Sequence, residues 1–135
     1  MKWLETAGDP LFAQHWPFYP DMRLSTNGRR KLHHHEEASL VKAERERAGW
    51  ELKVAGIDPV TVFPVYVQWT VVFSNYRSAF DADSLAPAVK PWLDAMTDLK
   101  IWPNDSSAYM GKVSYESRVD KDLAPQLRLC VEKMQ

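Results

Sequence analysis

Asp81 and Asp83 stand two residues apart in the segment DADS. On an extended backbone, residues at that spacing project to the same side, and two carboxylates so placed repel unless a cation joins them. Magnesium suits such a pair because it prefers hard oxygen ligands and keeps several waters, which leaves positions open for a phosphate and a nucleophile. A third acid, Asp105, arrives in the later turn WPNDSS, and Lys90 lies between as a compact cation able to reach a phosphate oxygen. Each feature also has a plainer use. Most DxD pairs are solvated turns, and Lys90 is four residues before Asp94, the spacing of a helical salt bridge.

The cations gather elsewhere. From Arg23 to Lys53 there are eight Lys/Arg against five Asp/Glu, whereas from Asp81 to Asp105 there are five Asp against two Lys. The formal net charge of −1 excludes a nonspecific DNA coat, so any nucleic-acid contact must be local. Arg29, Arg30 and Lys31 are the candidate phosphate contacts, joined by Arg77 just before the acidic pair. Tyr76 and Phe80 flank Arg77, either as wedges into an opened DNA junction or as loop anchors. His33, His34 and His35 lack the HExxH spacing of a zinc site, and adjacent residues point in different directions, so a basic or solvated loop is the better reading.

Elements able to position these residues follow from periodicity. Phe63, Val65, Val67, Trp69, Val71 and Phe73 recur at period two and predict the clearest strand, with Pro64 placing its start at an edge or in a bulge. Val89, Trp92, Leu93, Met96 and Leu99 form a helical stripe with Pro87 in the first turn, and Pro91 predicts a kink or a late start. Leu40, Ala43, Trp50 and Val54 mark a second amphipathic helix over 36–55, ended by Gly56. Core packing is the expected role of Trp50, Trp69 and Trp92. Two short strands follow, around Val113 and Tyr115 and around Leu127, Leu129 and Val131, joined through Asp120 to Pro125. STNG, residues 25–28, reads as a turn leading into a solvated basic run. The fold class expected is two-layer α/β (α+β), a mixed sheet covered by two main helices.

At 135 residues, the chain suits one domain over 1–135, with 1–22, rich in Pro10, Pro17 and Pro20, an irregular or edge segment. So small a domain gains from covering apolar surface in a homodimer. Cys130 has no partner for a disulfide and reads as an inert reduced thiol. The first residues lack the apolar core of a signal peptide, and no stretch reaches membrane-spanning length, so a soluble cytoplasmic protein is expected.

The stretch DADSLAPAVKPWLDAMTDLKIWPND resembles the RusA-like Holliday junction resolvase family, in which an acidic DxDN stretch precedes a helical lysine and ends in an Asp-Asp turn. The earlier RLSTNGRRKLHHHEEASLVKAERERAGW is similar to that family's N-terminal part. The resemblance implies a crossover junction endodeoxyribonuclease, with Asp81, Asp83 and Asp105 as magnesium ligands, Mn2+ as a substitute ion, and Lys90 as the catalytic lysine. It also implies a homodimer acting on four-way or branched DNA, of a kind frequent in bacteriophages, with no small-molecule cofactor. Three departures stand out: Ser84 in place of the usual asparagine, Asn104 in place of the first terminal aspartate, and a longer interval from Asp83 to Lys90. A catalytically weak junction-binding dimer is the alternative.

Overall fold

The computed structural model describes residues 10–134. Its centre is β2, Val65–Phe73, where β-branched and aromatic side chains alternate about a pleated backbone. Val65, Val67, Trp69, Val71 and Phe73 are all buried, as the period of two requires. β2 is flanked on one side by β3 (Met110–Val119), parallel to it, and on the other by β4 (Gln126–Lys133), antiparallel; β1 (Phe12–Trp16) pairs with β4 at the far edge. The order β1-β4-β2-β3 makes a mixed four-stranded sheet, the class expected from the sequence. Pro64, which cannot donate to a ladder, lies just before β2, and the β2–β3 register shifts at Val65/Tyr66. Of the proline-rich stretch, residues 1–9 lie outside the described residues, and the remainder supplies the five-residue edge strand β1.

Both long helices join the core on the sheet face that carries Val67, Trp69 and Val71. α1 (Thr26–Arg29) is a single turn capped by Ser25, whose Oγ accepts from the Gly28 amide at 3.2 Å. The predicted STNG turn is thus wound into helix. A Cβ at Gly28 would stand 2.5 Å from the Arg23 carbonyl oxygen, so only glycine lets α1 pack this closely on the preceding 3₁₀ turn, Met22–Leu24.

α2 (His34–Ala55) starts with Glu36 and Glu37 in its first turn, favourable at the positive end of a helix, and ends at Gly56 with φ 69°. Its buried positions are Glu44, Ala48 and Leu52. The stripe expected to face the core does not: Trp50 is 68% exposed and Val54 66%. The physical reason is Glu44. Its carboxylate accepts from the Asp21 amide (2.8 Å) and from Trp92 Nε1 (3.0 Å) and pairs with Arg47, fixing which side of α2 faces inward.

α3 (Ala86–Asp98) fulfils its stripe, with Val89, Trp92, Leu93 and Met96 buried. It begins at Ala86 and runs through Pro91, so the late start is not observed. Arg45 binds Asp98 through two 2.6 Å hydrogen bonds, tying the outer edges of α2 and α3. These bonds hold the Asp98 carboxyl below its ordinary value and the Arg45 guanidinium above its own. Cys130 is buried and free, and burial pushes its thiol up to about 11, which keeps it protonated and unreactive near neutrality. Among the described residues no helix is long and apolar enough to cross a membrane.

Candidate functional site

The chain leaves β2 at Phe73, turns through Asn75 to Ser78, and returns with Phe80 stacked on Phe73 at 5.8 Å. Asn75 closes that turn by accepting from the Ser78 amide through Oδ1 at 2.9 Å. Phe80 is therefore an anchor, whereas Tyr76 at the loop tip is 86% exposed. The anchor sets Asp81 beside the carboxyl end of β2. There, the Asp120 amide donates to the Phe73 carbonyl at 2.9 Å, so the end of β3 lies alongside.

The acidic segment is not extended. Ala82–Ser84 form one 3₁₀ turn, closed by the Ser84 amide (3.0 Å) and Ser84 Oγ (2.8 Å), both donating to the Asp81 carbonyl. Asp81 thus caps the turn and Asp83 lies within it, instead of the two alternating along a strand, and the premise that put both on one side of a pleat is corrected. Ser84 is buried and latches this turn, a role that accounts for a short hydroxyl where the resemblance expects an amide. Both carboxylates are exposed and, among the described residues, accept no hydrogen bond and enter no ion pair.

Two shallow grooves lie along this part of the chain, the first lined by Asp81 itself and the second by residues from Ala86 onward. One, of about 450 Å³, is lined by Tyr19, Asn27, Phe73, Arg77, Phe80 and Asp81 among others, so Arg77 and Asp81 share a wall. The second, of about 320 Å³, brings together Arg29, Ala86, Pro87, Lys90, Asp94 and Tyr115. Arg29 comes from the basic run far back in the chain and is delivered to Lys90 by α1. Lys90 donates to Asp94 at 2.8 Å, the expected i,i+4 pair, and Arg29 pairs with Glu37. Arg30 and Lys31 are exposed just beyond α1. Burial, with the Asp94 charge adding to it, raises the Tyr115 phenol above its ordinary value. Sequence reading treated Tyr115 only as a strand residue. Its alternation with Val113 puts it on the helix-covered face, the available hint that it lines a groove.

Asp105 is elsewhere. The residues on either side are tied to the amino end of β2: the Val60 amide donates to the Ile101 carbonyl and the Val65 amide to the Tyr109 carbonyl, each at 2.8 Å. The amides of Tyr109 and Met110 both donate to Ser106, holding the loop against the start of β3. β2 is nine residues long, so its two ends are roughly 26 Å apart at about 3.3 Å per residue. Within one chain, Asp105 therefore does not join Asp81 and Asp83. The cause is the direction of α3, which carries the chain the length of the sheet before the turn at 99–101.

Among the described residues, the three side chains of metal-ligand type whose donor atoms all fall within 4.8 Å of one another are His33, His34 and His35, all exposed. The expectation that these histidines diverge is corrected, since His33 is extended while His34 and His35 begin the helix. Their rings cluster at the helix start, His34 and His35 with centroids 4.0 Å apart and planes tilted by 41°, and His33 stacked on His35 at 5.2 Å.

Compared with known proteins, the chain matches no protein-family model and no curated protein.

Proposed function

We propose that this chain is a magnesium-dependent endonuclease acting on four-way and related branched DNA. One observation carries the reading: two exposed carboxylates that, among the described residues, have no ion-pair partner stand at the turn that follows the carboxyl end of β2, Asp81 at its cap and Asp83 within it. In open α/β sheets, ligands characteristically bind outside the carboxyl ends of strands, and β2 and β3 are parallel neighbours there. The donor set suits magnesium, because both groups are hard oxygens that, among the described residues, form no ion pair. A bound magnesium ion would supply an acidified water and charge stabilisation at the attacked phosphate. Arg77 beside Asp81, and Arg29 with Lys90 in the next groove, supply phosphate contacts on both sides. Asp94 holds the Lys90 ammonium over its groove until a phosphate competes for it.

The rival reading is a junction-binding protein without nuclease activity, favoured by the separation of Asp105 from the other two acids. A labelled mobile four-way junction and a matched linear duplex, each with and without Mg2+, separate the two. The expected result is nicking of the junction alone, dependent on Mg2+ and reduced at least about a hundredfold by Asp83→Asn, as loss of a metal ligand implies. Tight junction binding without nicks would select the rival.

A further inference from the structure

We propose that His33, His34 and His35 together bind one transition-metal ion of the zinc class, in a site at the start of α2 that is separate from the acidic turn. It stands whether or not the chain is a nuclease, because no acid of that turn contributes to it.

Three adjacent side chains converge only where the backbone changes course. Along a strand neighbours point to opposite faces, and within a helix they fan out by about 100°. Here His33 is extended, with φ −70° and ψ 147°, and His34 opens the helix. The break gathers the rings: the His33 centroid lies 4.5 Å from that of His34 and 5.2 Å from that of His35, with His34 and His35 closer still. One ligand atom from each residue comes within 4.8 Å of the other two. Zinc bonds to imidazole nitrogen at about 2.0–2.1 Å, which sets the nitrogens of a tetrahedral site about 3.3 Å apart. The rings therefore have to close by no more than about 1.5 Å, which exposed side chains reach by turning about χ1 and χ2. His33 Nδ1 already accepts from the His35 amide, at 3.4 Å. A nitrogen that accepts presents a lone pair, the form in which imidazole ligates a metal, and so long a bond exchanges readily for a metal–nitrogen bond.

The neighbourhood selects the ion. Arg29, Arg30 and Lys31 precede the cluster, while Glu36 and Glu37 follow it, with Glu37 already paired to Arg29. A hard cation such as magnesium, held by charge and by oxygen ligands, gains nothing from three imidazoles beside three cations. Zinc, copper and nickel bond to the imidazole nitrogen itself and tolerate such surroundings. The positive end of the helix dipole opposes any cation here, and the two first-turn glutamates offset it. Three protein nitrogens leave a fourth position for water or an anion.

Calorimetric titration with Zn2+ in excess Mg2+ tests the site, since Mg2+ competes for oxygen ligands and leaves imidazoles free. One ion per chain is expected. His34→Gln, His35→Gln and His33→Asn, the last keeping a capping acceptor, should each raise the dissociation constant at least about tenfold. Asp83→Asn should bind Zn2+ as the wild type does. Absence of binding, a loss that follows Asp83→Asn, one ion shared by two chains, or weakening by only one or two of the histidine variants would overturn the three-histidine site. A thermal scan separates a gathered site from a mere run of histidines, because an ion that prefers the folded chain raises the unfolding midpoint. Zn2+ is expected to raise the midpoint of the wild type and not that of His34→Gln. An unchanged wild-type midpoint would mean that folded and unfolded chains bind alike, and would overturn the part assigned to the break at His33.

Discussion

α2 and α3 carry apolar residues at similar helical spacings, yet they face the sheet in opposite senses. α3 buries its stripe up to Met96, with Val89, Trp92 and Met96 at zero exposure, and only Leu99, just past its end, is partly exposed. α2 turns Trp50 and Val54 to solvent and buries Glu44, Ala48 and Leu52 instead. Hydrophobicity alone decides the first case, while a polar constraint decides the second. Trp92 brings an indole N–H into the core that needs an acceptor, the Asp21 amide needs another, and Glu44 serves both at 3.0 and 2.8 Å. With Arg47 at 3.2 Å, its charge is also matched. Ala48 and Leu52, on the same side of α2 as Glu44, are buried with it and join the core. The lesson is that a buried carboxylate with three partners outranks an exposed tryptophan in fixing a helix's rotation.

The contrast breaks most visibly at Trp92. It packs against Trp16 (4.8 Å), Phe18 (6.0 Å) and Trp69 (6.3 Å), and Trp92→Ala is expected to cost about 3–5 kcal/mol, read as a drop in the urea midpoint at constant slope. Glu44→Ala comes next, at about 2–3 kcal/mol, because it leaves a buried indole N–H and a backbone amide without their acceptor. The two residues share a hydrogen bond, so Trp92→Ala and Glu44→Ala together should cost less than their sum. Strict additivity in that double-mutant cycle would show that the carboxylate does not orient α2 through Trp92.

What the sequence disclosed follows the same division. Period-two alternation located β2 because every second residue there is apolar and nothing polar competes, and α3 was readable for the same reason. The cap at Gly56 and the Lys90–Asp94 pair were legible because both depend on neighbours within one turn. Glu44 was not singled out, although Glu44, Ala48 and Leu52 share one helical face, because a glutamate there reads as solvated until Trp92 and Asp21 are brought to it. The acidic turn was read as extended because Ser84's bond to the Asp81 carbonyl is a matter of local geometry that composition does not reveal. The place of Asp105 depended on the distance α3 travels, so residues close in the motif DADS…WPND end at opposite ends of one sheet. Arg29's arrival beside Lys90 is likewise tertiary, set by the close packing that Gly28 permits.

The smallest expected effect sharpens the comparison most. At 68% exposure, Trp50 has little surface left to lose on unfolding, so Trp50→Gln should change stability by no more than about 0.5 kcal/mol. Glutamine is at least as good a helix former as tryptophan, so no propensity term masks the result. The measurement is again the urea midpoint, alongside Trp92→Ala in the same buffer. A loss of about 2 kcal/mol or more at Trp50 would mean that this face is covered in solution, for it is far beyond what a solvent-facing side chain on α2 can contribute. A concentration series locates the cover: if the loss grows with protein concentration, a second copy protects the α2 face.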